Sequence, residues 1–148
     1  MGQYYYVVNV TKKQYLHPHD FGDGLKLMEF GASGDGTMMG LAALLADGNG
    51  RGGGDVRSKN QIIGSWAGDQ IVIAGDYADN ERFTGDPNRN LYQLAQAEYE
   101  NISKKVIRAM VDSKHVAETL REKRYFGCGS HQNVYDNAIS DDLSLTGD

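Results

Sequence analysis

Four consecutive apolar residues, Ile71-Val72-Ile73-Ala74, stand between Gly68-Asp69-Gln70 and Gly75-Asp76. A run this short, mostly β-branched and closed at both ends by turn formers, predicts a strand. Apolar character at every position predicts cover on both of its faces. Two carboxylates, Asp76 and Asp79, follow directly, and rigid element ends are places where sites are built. Strand-like runs crowd the first half of the chain and helical periodicity the second, which is an α+β pattern. The expectation is one domain over residues 1–124, a mostly antiparallel sheet of about five strands packed with a buried helix and C-terminal helices. Residues 125–148 read as an irregular tail ending in an acidic stretch.

Along the chain, residues 4–10 are aromatic and β-branched and predict a central strand. Residues 15–17 predict its partner, which Pro18 ends. Residues 25–30 alternate imperfectly and are read as extended. Residues 38–46 are apolar nearly all round and predict a buried helix, with Thr37 or Asp35 as its cap. Residues 61–66 and 70–75 predict a hairpin around Ala67-Gly68-Asp69. Asn90 is placed to cap a helix over 91–99, with Leu91, Leu94, Ala95 and Tyr99 on one side. Ser103 is placed to cap the next helix, whose stripe is Val106, Ile107, Met110 and Val111. A third short helix is read over 116–124.

The formal charge of −5 favours solubility and repels phosphate backbones, so general nucleic-acid binding is disfavoured. Lys104, Lys105, Arg108, Lys114, Arg121, Lys123 and Arg124 gather in the C-terminal third and read as solvated helix faces. Cys128 is the only cysteine, which excludes an internal disulfide and fits a reducing compartment. The N-terminus lacks the pattern of a signal peptide, and no apolar run approaches the ~20 residues that span a bilayer. The expected location is therefore cytoplasmic, with no membrane partner.

Several local patterns point to chemistry. Nineteen glycines are about twice the usual share of ~7%, and five of them lie in residues 48–54. Glycine loses the most backbone entropy on ordering, so this loop is read as mobile or as ordering on a partner. Arg51 and Arg57 flank it and are placed to close on an anion. Its start, Asp47-x-Asn49-x-x-Gly52, resembles half of a calcium loop, but Arg51 and Ser58 stand where ligands are needed. Gly31-Ala32-Ser33-Gly34-Asp35-Gly36-Thr37 precedes a helix, where a phosphate can sit, but it lacks a lysine and has the dinucleotide fingerprint reversed. His17 and His19, with Cys128 and His131, are weak candidates for a zinc set. Cys128 has no suitably placed base for a nucleophilic role. Tyrosines 4, 5, 6, 15, 77 and 92 offer stacking surfaces or core filling.

Met1-Gly2-Gln3-Tyr4-Tyr5, Tyr15-Leu16-His17-Pro18-His19 and Gly24-Leu25-Lys26-Leu27-Met28-Glu29 form one set of signature segments. Trp66-Ala67-Gly68-Asp69, Ala74-Gly75-Asp76-Tyr77-Ala78-Asp79 and Asn90-Leu91-Tyr92 form another. Together, over roughly residues 1 to 95, the chain resembles a family of small uncharacterised proteins from bacteria and their phages. That family has no assigned activity, so the resemblance implies no chemistry.

The resulting expectation is a non-enzymatic module for a small polar or nucleotide-like ligand, with no cofactor. Asp76, Tyr77 and Asp79 would bind from the strand end, and Arg51 and Arg57 from the loop. In a phage such a module would sequester a host nucleotide. Two other readings stand beside it. One is an interaction or self-assembling protein, using the acidic tail. The other is a metal-dependent hydrolase using His17, His19 and carboxylates.

Overall fold

A computed structural model describes residues 2–111. The expected helix at 116–124, the tail, Cys128 and His131 lie outside the described residues. The chain begins with β1 (Tyr5–Asn9) and β2 (Gln14–Leu16), which pair antiparallel with Val7 opposite Leu16. A 3-10 turn, Pro18–Phe21, follows. Then come α1 (Leu27–Gly31), α2 (Thr37–Leu45), β3 (Ile71–Gly75), α3 (Leu91–Glu98), β4 (Glu100–Asn101) and α4 (Ser103–Val111). The sheet order is β3-β1-β2-β4, with β1–β3 antiparallel and β2–β4 parallel. The fold is α+β with a mostly antiparallel sheet, of four strands among the described residues. No helix there is long and apolar enough to cross a membrane.

Alternation along β1 explains the layering. Val7 faces one core with Leu16, Phe21, Phe30, Leu44, Trp66 and the α4 stripe. Tyr6 and Val8 face the other, with Tyr15, Ala74 and the buried side of α3, Leu91 and Ala95. Helices α2 and α4 pack on each other across the first core. Among its stripe, Val106, Ile107, Met110 and Val111 are all buried, as their spacing predicts.

Three expectations change. Residues 25–30 are not extended: residues 27–31 form α1. The Glu29 carboxylate accepts a hydrogen bond from the Lys26 N–H and secures the first turn, and only Phe30 of the segment is buried while Met28 is 70% exposed. One buried residue per turn suits a short helix better than a half-buried strand. Residues 61–66 are not a hairpin arm. Their backbone donors go elsewhere: Gly64 N–H to the Ala43 carbonyl and Trp66 N–H to the Leu44 carbonyl. Both carbonyls lie in the last turn of α2, where intrahelical donors run out; Ala43 otherwise receives only a long 3.5 Å bond from the Ala46 N–H. Gly64 has φ +79 and a Cβ there would meet the Ala46 carbonyl, so the position requires glycine. Trp66 is fully buried and donates from Nε1 to Gln14 Oε1 at 2.8 Å.

The third correction concerns β3, which among the described residues is a strand at the sheet edge rather than an interior one. Helix α3 covers its Val72 and Ala74 face. On the other face Ile71 reaches the core, but Ile73 is 40% exposed because α2 and α4 lie over β1 and β2.

The start of α2 is capped from a distance. Neither Asp35 nor Thr37 caps by its own side chain. Asp23, buried at the end of the 3-10 turn, accepts from both Thr37 N–H and Thr37 Oγ1 at 2.7 Å each. Gly36 lets that carboxylate approach; a Cβ there would overlap Asp23 Oδ2. Replacing Asp23 with Ala strands two buried donors. The expected loss is about 2–4 kcal/mol in urea unfolding with an unchanged m value; an unaltered midpoint would show the contact to be idle.

Candidate functional site

At the end of β3, Asp76 is tied into the backbone frame. Its N–H donates to the Tyr4 carbonyl and its Oδ1 accepts from the Tyr4 N–H, both at 2.9 Å. The buried Asn90 side chain donates to the carbonyls of Asp76 and Ala78, at 3.0 and 3.1 Å, while its Oδ1 caps α3 through Gln93 N–H. The turn is therefore a staple between β1, β3 and α3. Tyr77 and Asp79 project into solvent from it, Tyr77 at 61% exposed. Asp86 pairs with Arg89, which also reaches Glu98.

The glycine loop is organised by its own side chains. Asn49 accepts from Val56 N–H and donates to the Val56 carbonyl, closing the base. Asp55 Oδ2 accepts from three successive amides, Gly50, Arg51 and Gly52, at 2.9–3.1 Å. Those bonds hold its carboxyl below the usual carboxylate range. Such a run of amides is a nest for an anion, and here an internal carboxylate fills it. The positive φ of Gly48, Gly50 and Gly54 makes the tight path possible. The segment that resembles half of a calcium loop is thus a carboxylate-centred turn. At Gly31–Thr37, where the sequence argues against a phosphate site, the helix-start Thr37 N–H is likewise taken, by Asp23.

With its backbone donors engaged, the loop presents side chains. Arg51, Arg57 and Lys59 line an open cavity of about 520 Å³ with Asp55, Val56 and Ser58. Val56 also packs against the first core, which anchors the floor. Asp76, Tyr77 and Asp79 are not among its lining residues. The composite site expected from the sequence is therefore divided: the arginines meet in this cavity, and the strand-end residues stand apart from it.

A second cavity, about 380 Å³, begins at the next residue along the chain. Asn60 and Ile62 line it from the connection, and Lys104, Lys105 and Arg108 from the solvent side of α4. Lys105 also pairs with Glu100. Sequence reasoning assigned these α4 cations to solvent and passed over Lys59. Their spacing does place Lys104 and Arg108 one turn apart on one face, but only the folded chain brings that face to residue 60.

The histidines sit elsewhere, at the end of β2. Tyr6 stacks on Tyr92 with centroids 4.1 Å apart, and Tyr15 and His17 lie 5.0 and 4.9 Å from it. Burial, then the hydrogen bond with Tyr92, pushes the Tyr6 hydroxyl up. His17 Nδ1 accepts from His19 N–H and so caps the 3-10 turn rather than facing a ligand. Burial lowers the His17 pKa, against an opposing pull from Asp20. Among the described residues no three His, Cys, Asp or Glu side chains converge as a metal site.

Comparison with protein families, curated proteins and solved structures finds no match.

Two outcomes follow from these arrangements. Asp55→Ala should collapse amide protection at residues 50–52 in hydrogen exchange while leaving α2 and β1 protected; unchanged loop protection would refute the nest. His17, with a folded pKa below 6.5, binds its proton first in the unfolded chain, so its contribution to stability falls as pH drops below 6.5. By NMR its midpoint should lie below 6.5, and Asp20→Asn should lower it further. An upward move would contradict the assigned causes.

Proposed function

We propose that this protein binds, without converting, a small phosphate-bearing ligand of the nucleotide kind in the cavity of Arg51, Arg57 and Lys59. One observation carries this reading: three cations share a cavity whose lining, among the described residues, holds one carboxylate, Asp55, and that carboxylate is committed to backbone amides. Opposite charges a few ångströms apart attract by about 1–4 kcal/mol near a protein surface. The volume falls within the ~300–1,000 Å³ of small-molecule pockets. Asp55 acts as a positioning residue, since the turn it holds carries Arg51. Asp76, Tyr77 and Asp79 drop out of the binding set. Holding such a ligand without turnover is sequestration, and in a phage the ligand would be a host signalling nucleotide.

The second reading is association with another protein along β3. What favours it is an edge strand with no outer partner among the described residues, beside exposed Tyr4, Ile73 and Tyr77. A monomer by light scattering at high concentration would count against it.

Calorimetry with inorganic phosphate and a panel of nucleotides tests the first reading. Arg51→Ser and Lys59→Ser should each weaken binding by about ten-fold, and raising salt from 50 to 500 mM should weaken it further. No heat with any member would overturn the proposal.

A further inference from the structure

We infer that the two cation-lined cavities form one site for a linear polyphosphate chain, the first group held by Arg51, Arg57 and Lys59 and a later one by Lys104 and Arg108. The inference rests on the proposed anion-binding reading and names its ligand more closely.

Lys59 lines one cavity and Asn60 the other, so consecutive residues, ~3.8 Å apart at Cα, form the boundary between them. That boundary is stiff. Ser58 Oγ accepts from Asn60 N–H, and Asn60 in turn accepts from Ile62 and Ile63 N–H through its side chain and carbonyl. Val56 and Ile62, one from each cavity, both pack against the same core. Two floors fixed to one core keep the cavities at a constant separation, which is what a chelating ligand needs.

The charge balance points the same way. The two linings hold six of the chain's fifteen lysines and arginines, although the chain as a whole carries −5. Among the described residues the second lining has no carboxylate, and of its cations Lys105 is paired, with Glu100. Among the described residues Lys104 and Arg108 have no ion-pair partner. Among the described residues neither lining contains an aromatic ring. Single-stranded nucleic acids are held largely by stacking of bases on such rings. A ligand recognised here is therefore recognised through its charges, and a phosphate chain, free or as the tail of a nucleotide, supplies them.

The test is calorimetry on the full chain with orthophosphate, tripolyphosphate, a nucleoside triphosphate and a single-stranded oligonucleotide at one salt concentration. Tripolyphosphate should bind at least about ten-fold tighter than orthophosphate. Lys104→Ser with Arg108→Ser, both exposed positions, should erase that gain and leave orthophosphate binding unchanged. Equal affinity for triphosphate with and without the nucleoside marks the free chain as the source; a gain from the nucleoside marks the nucleotide. If tripolyphosphate gains nothing, or the double variant keeps the gain, the joined site is wrong while the first cavity stands. An oligonucleotide that outcompetes tripolyphosphate overturns the inference in favour of a nucleic-acid backbone. No binding of any phosphate overturns both this inference and the reading beneath it.

Discussion

Strand β1 is sealed on both faces and on both edges, and the rest of the domain is arranged around that fact. Val7 and Val8 are fully buried on opposite sides, and β2 and β3 take up the backbone hydrogen bonds. Burying each valine contributes about 1.5–3 kcal/mol, but its structural effect is larger, because one strand divides the interior into two cores. The first is filled by α2, α4 and Trp66, the second by α3 and a stack of tyrosines. The loop that carries Arg51 and Arg57 hangs from the first core through Val56. The Asp76 turn belongs to the second through Asn90. Dividing the interior in this way separates the two halves of the site expected from the sequence.

Elements whose signals are local were legible. β1 and β2 follow from their β-branched and aromatic runs and from Pro18. α2, α3 and α4 follow from apolar composition, from Asn90 and from a clear stripe. Residues 25–30 misled because six residues with mixed alternation satisfy either period, and the deciding bond, Lys26 N–H to Glu29, is a side-chain event. Residues 61–66 misled because Ile62, Ile63 and Trp66 look like strand residues. Their role is set by carbonyls of α2 some twenty positions earlier. The site shows the same limit. Arg51 and Arg57 could be picked out beside a glycine run. Lys59, Lys104 and Arg108 acquire meaning only when α4 is laid beside residue 60.

Four of the chain's twenty acidic side chains hold loops and turns in place. Asp23 caps α2, Asp55 fills the amide nest, Asp69 joins Asn9 to Lys12, and Asp76 clamps Tyr4. Asp23, Asp55 and Asp76 take backbone donors that would otherwise be left to water, and Asp69 takes side-chain donors. At the two cavities the described linings hold six cations and one carboxylate, so a net-negative protein presents a locally basic face there.

Trp66 adds a built-in optical reporter. It is the sole tryptophan of the chain, fully buried, with its indole nitrogen bonded to β2 and its amide bonded to the end of α2. The ribbon that leads out of both cavities passes through it. Its emission wavelength therefore follows how firmly that ribbon is seated on the first core, so intrinsic fluorescence, with no label attached, can register a ligand that tightens the boundary between the cavities.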